Sequence, residues 1–216
     1  MKKNVFILFW FFLLFFPAPG PAQSDEAAKA LEMVKRAYRS LGSLEARFIQ
    51  TDERPEMGVT VQEEGVLFFT PPDRMKWEYG GKRPHTVGLN GSKVWIHTPS
   101  REQAVVRDIT SEEMRRGAAT FLGGLEEIEE DFTIQSRPTA SGEPIPLEMF
   151  PVGEDFPYER LSVLVQPESG LIERISIFHK LGNITTIAFQ DIRTGVSLPA
   201  DFFEMDFPKG TEIIEP

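Results

Sequence analysis

The side chains that most often do chemistry are scarce in this chain. His85, His97 and His179 are the three histidines, and there is no cysteine. The histidines are far apart, with no ligand spacing among them. No His-Glu-x-x-His, Gly-x-Ser-x-Gly, phosphate-loop or dinucleotide glycine pattern accompanies them. The carboxylate run "EEIEED" (Glu126–Asp131) is the other candidate, as a calcium or general-acid cluster. It lacks the Asp-x-Asp-x-Asp-Gly frame that wraps a loop round an ion, and a run of like charge reads as a solvated face. Asn90-Gly91-Ser92 and Asn183-Ile184-Thr185 fit the glycosylation pattern, which arises often by chance. No catalytic group, metal or cofactor is therefore expected.

The chemistry left is the burial of hydrocarbon. In "RMKWEY" (Arg74–Tyr79), Met75, Trp77 and Tyr79 alternate with charged residues, as on a strand with one dry face. The more apolar parity of the other strand-like runs adds Ala46 and Phe48, Leu67 and Phe69, Val87 and Leu89, and Val94 and Ile96. Later runs add Leu161, Val163, Val165, Ile175, Ile177, Ile187 and Phe189. Nearly every strand thus contributes one apolar face.

These faces must be positioned by a sheet. Strands are expected at Leu44–Thr51, Val59–Thr70, Arg74–Tyr79, Thr86–Leu89, Lys93–Thr98 and Ala104–Ile109. They resume at Phe132–Ser136, Pro146–Val152, Arg160–Gln166, Ile172–Lys180 and Ile184–Ile192, with a short one near the end. Asn90-Gly91 marks a hairpin and "PPD" (Pro71–Asp73) another reversal. Helical spacing occurs twice. Ala28, Leu31, Val34, Ala37, Tyr38 and Leu41 form one amphipathic face, capped by Ser24 or Asp25 and stopped by Gly42. Between the two sets of strands, Thr110 and Glu113 stand in capping-box spacing, ahead of Met114, Ala118, Phe121 and Leu122. The expected fold is mainly β, one antiparallel sheet of ten or eleven strands with two helical segments. So long a sheet must curl, and its few helices should cover the concave side or the mouth. Pattern alone leaves open whether the interior is a packed core or a cavity, since both are lined by the same residue types.

The first 22 residues read as a cleaved secretory signal. Lys2 and Lys3 precede the apolar run Val5–Phe16, and "PAPGPA" places Gly20 and Ala22 like a cleavage site after Ala22. Residues 23–216 are then a single domain. Losing Lys2 and Lys3 makes the mature protein two units more negative than the −10 of the whole chain, which argues against nucleic acid or anionic lipid surfaces as partners. Without cysteine the exported domain has no disulfides and no site for N-terminal acylation.

Four stretches, in order, carry a resemblance. They are "SLEARFIQT" (Ser43–Thr51), "GVLFFTPPDRMKWEY" (Gly65–Tyr79), "LNGSKVWIHTPSREQAVVRDI" (Leu89–Ile109) and "FFEMDFPKGTEI". The chain resembles the LolA family of periplasmic outer-membrane lipoprotein carriers, over about Ala28 to Ile213. The resemblance implies an incomplete β-barrel whose helices form a lid over an apolar cavity. It implies a non-enzymatic periplasmic monomer that takes acylated lipoproteins from an inner-membrane ABC transporter to an outer-membrane receptor. The acyl chains would meet Phe48, Leu67, Phe69, Met75, Trp77, Tyr79, Leu89, Val94, Ile96, Phe121, Leu122, Val163, Ile177 and Phe189. Lid or partner contacts would involve Pro71, Arg74 and Met114. The family's arginine just before the turn proline, which holds the lid, is here Pro71 ahead of Pro72. Proline has no donor, so Arg74 would have to act by another geometry. Two competing readings are a lipid- or lipoprotein-sensing regulatory domain of the envelope, whose relatives append a second domain absent here, and a carrier of another apolar envelope lipid.

Overall fold

The computed structural model describes residues 22–117 and 121–215, except for the side chains of residues 22–24 and 121. The expected leader lies outside the described residues, apart from Ala22, as does Ala118. Helix α1 (Ala22–Ser40) leads into β1 (Leu44–Arg54), β2 (Val59–Thr70), β3 (Arg74–Tyr79), β4 (His85–Asn90), β5 (Lys93–Thr98) and β6 (Gln103–Asp108). Next come α2 (Ser111–Arg116), a 3-10 segment (Phe121–Glu127) and α3 (Ile128–Asp131). The chain then forms β7 (Phe132–Ser136), β8 (Ile145–Pro151), β9 (Tyr158–Val165), β10 (Ile172–His179), β11 (Ile184–Thr194) and β12 (Glu212–Ile214).

All the strands form one sheet in the order β12-β6-β5-β4-β3-β2-β1-β11-β10-β9-β8-β7. Among the described residues the two edges, β12 and β7, do not pair, so the barrel is incomplete. Ten or eleven strands were expected; the described residues form twelve, and among them β12 departs from the antiparallel pattern by running parallel to β6. That three-residue strand arrives from the C-terminal segment, whose irregular composition gives no periodic signal.

Residues directly opposite in neighbouring strands share a face, so register defines the concave wall. One row runs Leu44, Phe69, Met75, Leu89, Val94. The next runs Ala46, Leu67, Trp77, Val87, Ile96, Val105. In the other half, Leu147, Val163, Ile175 and Ile187 stand in line. Against this wall α1 packs across β7 and β8, burying Leu31, Val34 and Tyr38. The segment from α2 to α3 joins β6, next to one edge of the sheet, to β7 at the other, and so crosses the side where the barrel is incomplete.

The outer face is covered as well. Phe202 of the C-terminal segment packs edge-on against Phe68 at 4.7 Å, with the Lys76 ammonium 4.6 Å from its ring centre. His97 meets Phe207 at 5.3 Å. Trp95, on the parity opposite to Val94 and Ile96, is buried on this outer side, its indole directly over Gly88.

Candidate functional site

An aromatic group forms the middle of the concave wall. Phe48 makes edge-on contacts with Trp77 at 5.1 Å and Tyr79 at 4.9 Å, and Trp77 reaches Phe189 at 6.0 Å. Gly65 makes this close approach possible, because a β-carbon there would strike both the Phe48 ring and the Glu78 carbonyl. Phe48, Leu67, Phe69, Met75, Trp77, Leu89, Leu122, Val163, Ile177 and Phe189 all fall in one buried cluster, with Tyr79 and Val94 packed partly buried against it. Ile96 shares the Trp77 row but is 45% exposed. The Phe121 side chain lies outside the described residues. The cluster also holds Tyr38, Leu125 and Ile128, which strand parity had no means of selecting.

At one end the wall turns polar. The Tyr79 hydroxyl donates to Gln50 Oε1 (2.9 Å), and the Gln50 amide donates to Asp52 (2.8 Å). Thr185 donates to the other Asp52 oxygen (2.6 Å), and His179 Nε2 lies 3.2 Å from Thr185 Oγ1. Burial pushes the Tyr79 phenol well above its usual range, and the charges of Glu63 and Asp52 push it further. A neutral hydroxyl thus borders the apolar wall.

The cover itself is short and heavily charged. Thr110 Oγ1 accepts from the Glu113 amide (3.1 Å) while the Glu113 carboxylate accepts from the Thr110 amide (2.8 Å), the capping box read from the sequence. That backbone bond, followed by the Arg107 contact (3.0 Å), holds the Glu113 carboxyl below the usual carboxylate range. Leu122, Leu125 and Ile128 point into the cluster. Gly123 sits where a β-carbon would lie 2.9 Å from Met114 Sδ and 3.2 Å from both Met75 Cε and the Pro72 carbonyl. The run expected to be a solvated face is only partly so. Ile128 is fully buried, and Asp131 is buried with both Arg115 and Arg116 on its carboxylate. Arg115 also reaches Glu127 (2.6 Å) and Glu130 (3.3 Å). Among the described residues no three acidic or imidazole groups gather to hold a metal ion; these carboxylates face cations of the protein instead.

Helix α1 supplies the other side. Arg39 grips Glu126 through two bonds (3.0 and 2.6 Å). Lys35 pairs with Glu129 and donates to the Glu126 carbonyl (2.9 Å). The Arg39 hydrogen bond holds the Glu126 carboxyl below its usual range. Beside these contacts a cleft of about 400 Å³ opens between Tyr38, Phe69, Pro71, Pro72, Leu122 and Leu125.

The family model described as outer membrane lipoprotein carrier protein LolA matches residues 39–206. The chain belongs to the LolA family. An outer-membrane lipoprotein carrier protein of Alkalilimnicola ehrlichii is 28% identical over 196 residues, covering 90% of this chain and 87% of its own. Among solved structures, an uncharacterized conserved protein from Thermus thermophilus aligns with a TM-score of 0.58 at 11% identity, over 88% of this chain and 99% of its own. MucB aligns at 0.51 and 13% identity, over 90% of this chain and 67% of its own. Both likenesses show the fold. At the β2–β3 turn Pro71 and Pro72 join by a cis peptide bond. Arg74 is turned away from the concave wall by its parity opposite to Met75. It lies on the outer face, its guanidinium 5.7 Å from the centre of the Phe203 ring. Pro71 and Met114 do lie beside the cover, at the cleft and at Gly123 respectively.

Proposed function

We propose that this protein is a non-enzymatic periplasmic carrier that holds the acyl chains of lipoproteins against its concave wall. In this reading it receives them from an inner-membrane ABC transporter and delivers them to an outer-membrane receptor. One observation carries the proposal: in a chain of the LolA family, the apolar concave wall is closed by a short segment whose Leu122, Leu125 and Ile128 fill the interior. Acyl chains would take the place of those three side chains. The magnitudes permit the exchange. Burying three such side chains gains roughly 5–9 kcal/mol, whereas an acyl chain of about fifteen methylenes, at ~0.8 kcal/mol each, gains on the order of 12 kcal/mol by leaving water. The difference favours loading but is small enough for a receptor to reverse.

The test is release of lipoprotein from spheroplasts by the purified protein, with the product read by native mass spectrometry. A carrier gives a complex at the summed mass. Protein that stays at its bare mass and leaves lipoprotein on the membrane overturns the reading. A regulator that senses lipid binds a lipopeptide but releases nothing.

A further inference from the structure

Strand β2 is longer than the β3 strand beside it. It pairs with β1 along its whole length, from Val59 opposite Arg54 to Phe69 opposite Leu44, without a register shift. With β3 it pairs only from Gly65 to Thr70. Beyond Tyr79, the last residue of β3, one more bond continues the ladder: the Gly80 amide donates to the Glu64 carbonyl (2.9 Å). In an antiparallel strand successive residues point their backbone groups to opposite edges. The N–H and C=O of Thr60 and Gln62 therefore face the same edge as those of Glu64, and no strand lies opposite them among the described residues. Sheets usually cover, bulge or interrupt an open edge. Residues 59–63 hold no proline and no bulge, and Thr60 and Gln62 are exposed. Along this edge runs a groove of about 580 Å³, with Gln62 and Glu64 on one wall and Gly80, Lys82 and Arg83 on the other.

We propose that the open edge of β2 receives an extended polypeptide as an added antiparallel strand in line with β3, and that this polypeptide is the segment next to the acylated residue of the cargo. The identity of the segment rests on the carrier reading. Its placement follows from continuity with the acyl wall. Tyr79 packs on Phe48 within that wall (4.9 Å), so the line beyond β3 begins where the wall ends. A lipoprotein acylated at its amino terminus, with its acyl chains on the wall, sends its polypeptide outward along this line. It then runs in the direction of β3, antiparallel to β2. Main-chain bonds give affinity without reading sequence, which suits a carrier that must accept lipoproteins of different sequence. Glu63, Glu64, Lys82 and Arg83 all line the groove, so it offers both signs of charge and selects neither.

The probe is a short diacylated lipopeptide, compared with the same acylated residue carrying no peptide. The lipopeptide should protect the Thr60 and Gln62 amides from hydrogen exchange, and the acylated residue alone should not. Affinity for the lipopeptide should be about five- to thirtyfold higher, the net worth of a short ladder. Methylating the alternate peptide nitrogens that face β2 should remove this gain; methylating the other set, or scrambling the sequence, should keep most of it. Gln62→Pro takes away an amide that β1 does not use, in an edge position where proline is tolerated. It should remove the gain while leaving affinity for the acylated residue unchanged. Equal affinity for the two acylated ligands, no protection of either amide, a gain lost on scrambling, or equal loss from both methylated sets would each overturn the proposal. The peptide without acyl groups, at high concentration, separates this proposal from the carrier reading. If it protects Thr60 and Gln62 in a protein that takes up neither acylated ligand, the carrier function is refuted and the strand-adding edge stands.

Discussion

Ile128 is the side chain whose removal best separates a lid from a core. It is fully buried in α3 and joins the cluster that includes Met75, Trp77 and Ile175. Cutting it to alanine should cost the closed protein about 2–5 kcal/mol, the range for a buried Ile→Ala change. If an acyl chain displaces this side chain, the loaded form does not bear that cost, and affinity for cargo rises by the same free energy. At the lower end that is about thirtyfold, since each 1.4 kcal/mol is tenfold. At that same lower end, empty protein should melt about 4–8 °C lower, given about 2–4 °C per kcal/mol for a domain of this size. Protein saturated with a diacylated lipopeptide should lose much less. The assays are competitive titration with a fluorescent lipopeptide and thermal unfolding with and without it. Ile175→Ala supplies the contrast. Ile175 stands on β10 in the wall, which both states use, so its truncation should weaken the fold and the affinity together. If Ile128→Ala also lowers affinity, or leaves it unchanged while the empty protein loses stability, then α3 is permanent core and the exchange of lid for cargo is wrong.

Trp95→Ala should cost about 3–5 kcal/mol in urea unfolding with no change in lipopeptide affinity, because Trp95 is buried on the outer face; a fall in affinity would place that face in the site. Gly65→Ala, whose new methyl meets the Glu78 carbonyl and the Phe48 ring, should destabilise by about 1–3 kcal/mol, read by the same unfolding curve. An unchanged midpoint would mean the wall is looser than drawn. Acid should loosen the cover. Glu126 has a folded-state pKa held down by Arg39, with Lys35 adding to it and Glu32 beside Arg39. A depressed pKa contributes its hold in full above the free value and loses it as pH falls through the folded one. Uptake of the fluorescent lipopeptide should thus be steady from pH 7 to about 5 and quicken only below the ordinary glutamate value of about 4.3, whereas quickening near pH 6 would point to a histidine.

Period-two patterning located β2, β3 and β7 to the residue, because each alternates between a more buried and a more exposed face. It was silent where both faces are covered. In Val94-Trp95-Ile96 three apolar residues follow one another; the outer segment buries Trp95, the cover half-buries Val94, and Ile96 stays open. Parity ranks them by side and cannot see how far a cover extends. The cover was harder still. Glu126 finds Arg39 across 87 positions, and Glu129 finds Lys35 across 94. Local reading therefore sees only a run of repelling carboxylates and sends it to solvent, although Ile128, the one apolar residue within it, is the sign that one side faces inward.

A carrier must bind hydrocarbon strongly enough to keep it from water and weakly enough to surrender it. A rigid empty cavity would meet the first demand and fail the second, since the whole transfer energy of the acyl chain would oppose release. Filling the wall with the protein's own Leu122, Leu125 and Ile128 reduces the net gain on loading to the difference between two burials. In the proposed exchange that difference would also work in reverse: as cargo left, Leu122, Leu125 and Ile128 would recover their own burial and help to drive the chain out. The cover therefore has to be apolar beneath, so that it competes with cargo, and weakly fastened outside, so that it can yield. A buried ion pair in place of Arg39–Glu126 would resist opening by several kcal/mol if broken and would hold the protein empty. An exposed one costs little to part, which is the property this position requires.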